Sequence, residues 1–85
     1  MALRLHPDIS TADTEYGTVL LDGAGGRYWQ LNATASAAFH ALLDGGTVEA
    51  AAHRLTTEFD VDAARARDDV ERLLSKLIDA KVVQA

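Results

Sequence analysis

Cysteine is absent from the sequence, which excludes disulfides, thiolate nucleophiles and Cys-ligated metal sites and fits a reducing compartment. Basic residues are scarce: eight Lys and Arg stand against thirteen Asp and Glu, for a net charge of −5. That balance speaks against a protein that tracks phosphates, because such affinity comes from Lys and Arg neutralising them. It suits a neutral or basic partner, or solubility alone. No run approaches the ~20 apolar residues of a membrane span. The N-terminal "MALRLHPDIS" lacks the apolar core of a signal peptide. The expectation is one cytoplasmic domain over 1–85, with no membrane or nucleic-acid partner. A hydrophobic fraction of 48% is ordinary for a folded domain. A chain this short buries only roughly 60–65% of its unfolded surface, so its core is thin.

The first third is strand-like. "ALRLH" alternates Leu3 and Leu5 with Arg4 and His6 until the single proline, Pro7, stops it. Residues 8–15 are polar and acidic and read as a loop. "YGTVLLD" reads as a second strand and "RYWQLN" as a third, joined by the turn "GAGG" into an antiparallel hairpin. The remainder is helical. Asn32 is a good cap for a helix over 33–44, with Ala35, Ala38, Phe39 and Leu42 on one face; Gly45 and Gly46 end it. Thr47 caps a second helix over 48–59, where Glu49 suits the first turn and Val48, Ala51, Ala52, Leu55 and Phe59 share a face. Asp62 caps a third over 63–80, and the terminal "VVQ" packs back as a short extended piece. The fold class is α+β: a three-stranded antiparallel sheet followed by three helices.

The third helix is more apolar than one core requires. Projected at about 100° per residue, Ala66, Val70, Leu73, Leu74, Leu77 and Ile78 cover an arc of roughly 140°, against about 100° for a simple surface helix. A helix wedged between the sheet and its neighbours accounts for this. So does a groove lined by one flank of the arc, either Ala66 and Leu73 with Asp69 and Lys76 beyond, or Ile78 with Glu71 beyond. The third strand carries Tyr28 and the only tryptophan, Trp29. Trp29 and Leu31 share one face, Tyr28 and Gln30 the other; Leu31 is expected in the core and Trp29 at the boundary between core and groove. A strand edge beside an apolar groove is suited to an extended peptide that adds as a further strand, and left bare it is an aggregation hazard.

Catalytic patterns are missing. Ser10, Ser36 and Ser75 lie near no His/Asp pattern, His6, His40 and His53 are scattered, and no HExxH occurs. "GAGG" lacks the GK[ST] of a phosphate loop. Asp68 and Asp69 are adjacent on a helix, about 100° apart, and do not converge. The reading is a protein that is not an enzyme, with no cofactor and no metal.

The run "YWQLNATASAAFHALLDGGTVEAAAHRLTTEFDVDAARARDDVERLLSKLIDAKVV" resembles the PqqD-like family through its aromatic strand ending in Leu-Asn, its "LLDGGT" junction and its "FDVDAARARDDVERLLSKL" helix. The resemblance implies a RiPP recognition element, which binds the leader segment of a ribosomally made precursor peptide and presents it to modifying enzymes. It implies a winged-helix-like fold in which the leader adds beside the third strand against the third helix. That puts peptide-binding residues at Arg27, Tyr28, Trp29, Gln30 and Leu31, and at Ala66, Asp69, Val70, Leu73, Lys76 and Leu77. Val70, Leu73 and Leu77 would be apolar walls. Asp69 is either a partner for a leader Tyr or Lys or a plain solvated charge. The similarity is greatest to the stand-alone leader-binding proteins of lasso-peptide biosynthesis, whose partners are a separate leader peptidase and a cyclase and whose leaders commonly carry Tyr-x-x-Pro and Lys. A peptide carrier for a radical-SAM enzyme, as in pyrroloquinoline quinone biosynthesis, is the alternative within the family.

Other classes fit less well. A winged-helix DNA-binding domain would read the major groove with the third helix, but that helix sets Asp62, Asp68, Asp69, Glu71 and Asp79 against Arg65, Arg67, Arg72 and Lys76. An acyl carrier needs Asp-Ser-Leu at a helix start, whereas Ser36 sits in "TASAAF". A purely structural or toxin-neutralising role is the remaining class.

Overall fold

The computed structural model describes residues 3–84. Its elements run β1 (Arg4–Leu5), β2 (Ile9–Thr14), β3 (Gly17–Asp22), β4 (Tyr28–Asn32), α1 (Ala33–Leu43), α2 (Val48–Glu58), α3 (Ala63–Asp79) and β5 (Val83–Gln84). The main sheet is antiparallel, with order β2-β3-β4.

The α+β class and the three-stranded antiparallel main sheet agree with expectation, but the sheet's first strand differs and two further short strands form a second sheet. Residues 8–15, read as a loop, contain β2, which pairs along its length with β3. Of β2 only Ile9 is buried, so the strand carries no apolar alternation to betray it. Its regularity comes from the ladder with β3, not from its own pattern. "ALRLH" instead supplies β1, which pairs with β5 in a separate two-stranded sheet, Leu5 opposite Val83. The terminal "VVQ" therefore does fold back. Ala2, read as part of that first strand, lies outside the described residues. Tyr16 belongs to the β2–β3 turn, and β3 starts at Gly17. Gly17 has φ +149°, and a Cβ there would run into the Leu31 carbonyl oxygen of β4, so the sheet closes only because that position has no side chain.

The helices start where their caps predict. Asn32, Thr47 and Asp62 accept from the amides of Ala35, Ala50 and Arg65. At the end of α3, Lys81 takes φ +62°. Its amide donates to Ile78 and that of Val82 to Leu77, the paired bonds of a Schellman ending. This turn reverses the chain, buries Val82 completely and leads into β5.

Two apolar clusters hold these elements together. One joins the three helices through Leu42, Leu55, Ala66 and Val70. The other joins sheet, α1 and the end of α3 through Ile9, Leu20, Phe39, Leu77 and Val82. Leu73 packs against both.

Candidate functional site

Strand β4 is an edge of the main sheet, and among the described residues no strand pairs with its outer side. The Asp22 amide donates to the Arg27 carbonyl. Antiparallel ladders alternate bonded and non-bonded pairs, so with the register Leu20 to Trp29 and Thr18 to Leu31 those two pairs are the bonded ones. The N–H and C=O groups of Tyr28 and Gln30 therefore point outward from the edge.

An apolar cleft of about 620 Å³ lies between this strand and α3. Trp29 and Leu31 form one wall and Leu73 and Leu77 the other; Ala80 and Val82 close one end, and Lys76 and Asp79 stand at the rim. A recess of about 260 Å³ adjoins it across Leu73 and Ala35, bordered by Asp69 and Asn32. Trp29 lies at the boundary between cleft and core, as expected; Leu31, expected in the core, is also only half-buried, and both line the cleft and pack on the second cluster. Tyr28 is 65% exposed on the opposite sheet face, beside its cross-strand partner Leu21. Only its backbone, not its ring, is aimed toward this edge.

Two of the expected groove residues are corrected. Ala66 and Val70 are both 0% exposed and belong to the three-helix core. The helical projection supplies angles but not which arc the neighbouring helices cover, and α2 and α1 cover that side. The groove-facing flank is Leu73, Lys76 and Leu77, with half-buried Asp69 beside the recess. Ile78, on the other flank, is 47% exposed and lies outside the cleft.

Asp22 anchors the open end of the sheet. Its Oδ1 accepts from the amides of Ala24 and Gly25 at 3.1 Å, and its Oδ2 accepts from Arg27 Nε and Nη2 at 3.2 and 3.1 Å. Gly25 leaves room for this carboxylate, because a Cβ there would come within 2.7 Å of Oδ2. The Gly25 amide, reinforced by Arg27 and the Ala24 amide and opposed by partial burial, holds the carboxyl below its ordinary value of 3.8. A depressed folded-state value means that ionisation favours the fold. That contribution is complete above the ordinary value and disappears as pH falls through the folded one. In acid titrations followed by circular dichroism, Asp22→Asn is therefore expected to lower stability at neutral pH and to flatten its decline below about pH 4. An acid limb as steep as that of the unmodified protein would remove Asp22 from it.

Four polar residues that the sequence kept apart meet on the other side of α1. The buried Thr18 hydroxyl donates to Asp13 Oδ1 at 3.0 Å, contacts the Ser36 hydroxyl, and lies 3.3 Å from His40 Nε2, itself 3.1 Å from Asp13 Oδ1. Nothing in their spacing signals this, since the hairpin and helix are brought together only by the tertiary fold. The arrangement lacks triad geometry: one imidazole nitrogen faces both the carboxylate and the Thr18 hydroxyl, whereas a relay uses the two nitrogens separately. It ties the β2–β3 hairpin to α1. Among the described residues no group of three or more His, Cys, Asp or Glu could hold a metal ion. No described helix is long and apolar enough to cross a membrane.

Two guanidinium groups on the exposed face of α3 are held by carboxylates. Arg67 bonds Glu49 of α2 at 2.7 Å and Glu71 at 3.0 Å, and Arg72 pairs with Asp68 at 3.0 Å. These guanidinium groups are occupied by carboxylates rather than presented to phosphates. Ala35, Ala80 and Val82 also line the cleft, though the sequence marks them only as helix or chain end. Their role depends on how α1 and the Schellman turn fold against α3.

Comparison with known proteins gives two structural relatives. A lasso peptide synthetase B1 solved in complex with the leader peptide superposes with TM-score 0.89, at 41% identity over 100% of both chains. TbiB1, solved with the TbiA(beta) leader peptide, superposes with TM-score 0.84 at 22% identity, over 96% of this chain and 95% of that one, and shares the fold. No curated protein sequence matches. The family model of Coenzyme PQQ synthesis protein D (PqqD) matches residues 17–83. That span runs from the start of β3 through all three helices into β5, the elements that build the cleft, and the chain belongs to the PqqD family.

Proposed function

We propose that this protein binds the leader segment of a ribosomally made precursor peptide and delivers it to a leader peptidase in lasso-peptide biosynthesis, with a cyclase acting afterwards. The observation that carries the reading is the outward-facing backbone of Tyr28 and Gln30 directly beside an apolar cleft. A peptide laid along β4 gains ladder bonds from the edge and drops alternate side chains into the cleft, which separates affinity from specificity. The 41% identical relative solved with its leader supports the same occupant. Trp29, Leu31, Leu73 and Leu77 receive apolar leader side chains. Asp69 and Asp79 suit leader Lys or Tyr groups, and Lys76 packs its stem along the rim. The role is binding and presentation rather than catalysis.

The test is titration of the isotope-labelled protein with a synthetic peptide carrying Tyr-x-x-Pro and several Lys residues. Amide signals of 27–31 and of 69–77 are expected to shift together. A response confined to α2 would relocate the site, and salt-sensitive binding of duplex DNA with no response to the peptide would replace the reading. A neighbouring coding sequence for a short precursor, beside genes for a peptidase and a cyclase, would fix the pathway.

A further inference from the structure

Arg27 is the first residue of the sequence "RYWQLN", yet its side chain is already engaged within the protein. Its Nε and Nη2 fork onto Asp22 Oδ2, while Nη2 also donates to the Ala80 carbonyl at 3.3 Å, across 53 residues of chain. Its guanidinium carbon lies 4.9 Å from the centroid of the Trp29 ring. These contacts join the β3–β4 turn, the edge strand and the end of α3. The Ala80 carbonyl is available because the chain reverses at Lys81 instead of continuing the helix. Asp22, 9% exposed, holds the guanidinium from behind and is not part of the cleft wall.

Resting on the leader-binding reading of the cleft, we propose that Arg27 is a positioning residue: it fixes the Trp29 ring and the spacing between β4 and the end of α3, so that the cleft is already formed before peptide arrives. Trp29 is only half-buried, on an edge strand, with Leu20 as its cross-strand neighbour and the cleft beside it. A ring so placed has several rotamers available unless something holds it. A planar, forked cation anchored at two points does so by stacking, which a lysine ammonium cannot reproduce. Binding to a preformed wall avoids the ordering cost that a mobile one would impose.

Trp29 is the only tryptophan, so its emission and near-ultraviolet dichroism report this position alone. Arg27→Lys keeps the charge and loses the fork; Asp22→Asn keeps the Oδ1 acceptor of the turn and loosens the guanidinium without touching the cleft. In both variants, measured where far-ultraviolet dichroism shows them folded, the Trp29 near-ultraviolet band is expected to weaken and its emission to move to the red without peptide. Affinity for a labelled Tyr-x-x-Pro, Lys-containing peptide should fall by about fivefold, the effect of losing a partly exposed cation–π contact. Unchanged Trp29 signals in the free variants would overturn the proposal. So would an affinity loss in Arg27→Lys with none in Asp22→Asn, since Arg27 would then act by touching the peptide. If the unmodified protein does not bind the peptide at all, the leader-binding reading falls, while the Trp29 signals still decide whether Arg27 holds the ring.

Discussion

Leu73→Asp is expected to reduce peptide affinity by at least about a hundredfold while the domain still unfolds cooperatively. Leu73 sits mid-way along α3, facing β4, and borders both the cleft and its adjoining recess. In the free protein the cleft is open, so the new carboxylate keeps its water. An arriving apolar side chain would strip that water from an unpaired charge, a penalty of several kcal/mol, and about 2.7 kcal/mol is a hundredfold in affinity. Stability also falls, because Leu73 is half-buried against both clusters; a loss of about 1–2 kcal/mol matches partial removal of one leucine from its packing. Fluorescence anisotropy with labelled peptide and thermal melts of the same samples separate the two effects. Ile78→Asp, on the exposed flank, should bind normally. Loss of the cooperative transition in Leu73→Asp would make Leu73 a core residue, and retained affinity would move the site away from this cleft.

The second large effect concerns the strand edge. Gln30→Pro is expected to leave a folded protein that binds peptide more than about tenfold more weakly. The Gln30 amide faces outward in the ladder alternation, so β3 loses no bond when it is replaced. The peptide loses a donor worth about 0.5–1.5 kcal/mol and meets a pyrrolidine ring where its own strand should lie. Leu31→Pro is the matched contrast. Leu31 is in a bonded pair with Thr18 and packs on the second cluster, so that change should cost the ladder bond, about 0.5–1.5 kcal/mol, and about 1–2 kcal/mol of leucine packing besides. Equal thermal losses from the two substitutions would show that both amides are used within the sheet, and the added-strand mode would fail with them.

The parts of this fold that could be read without coordinates are those set by local chemistry. Asn32, Thr47 and Asp62 stand at the helix starts because their side chains can accept from the amide three residues on. The β3–β4 hairpin is legible because two β-rich runs flank a glycine-rich turn. By contrast, β2 was invisible: a solvated strand with one buried residue has the composition of a loop. The groove was partly legible. The width of the apolar arc on α3 indicated surplus surface, but Ala66 and Val70 could not be separated from Leu73 and Leu77 by angle alone.

The sequence by itself determined the class of the domain, the three helix starts, the strand character of "RYWQLN" and the absence of thiol chemistry. Each depends on neighbours a few residues apart or on residues that are simply not there. Tertiary structure decided which strands pair, which flank of α3 stays open, and that Arg27 reaches Asp22 and the Ala80 carbonyl at once. Those outcomes require groups far apart in sequence, from 53 residues for Arg27 and Ala80 to the two ends of the chain for Arg4 and Gln84, to arrive at bonding distance. Their physical origin is the competition among apolar faces for a thin core, which covers Val70 completely and leaves Leu73 half-open beside Trp29.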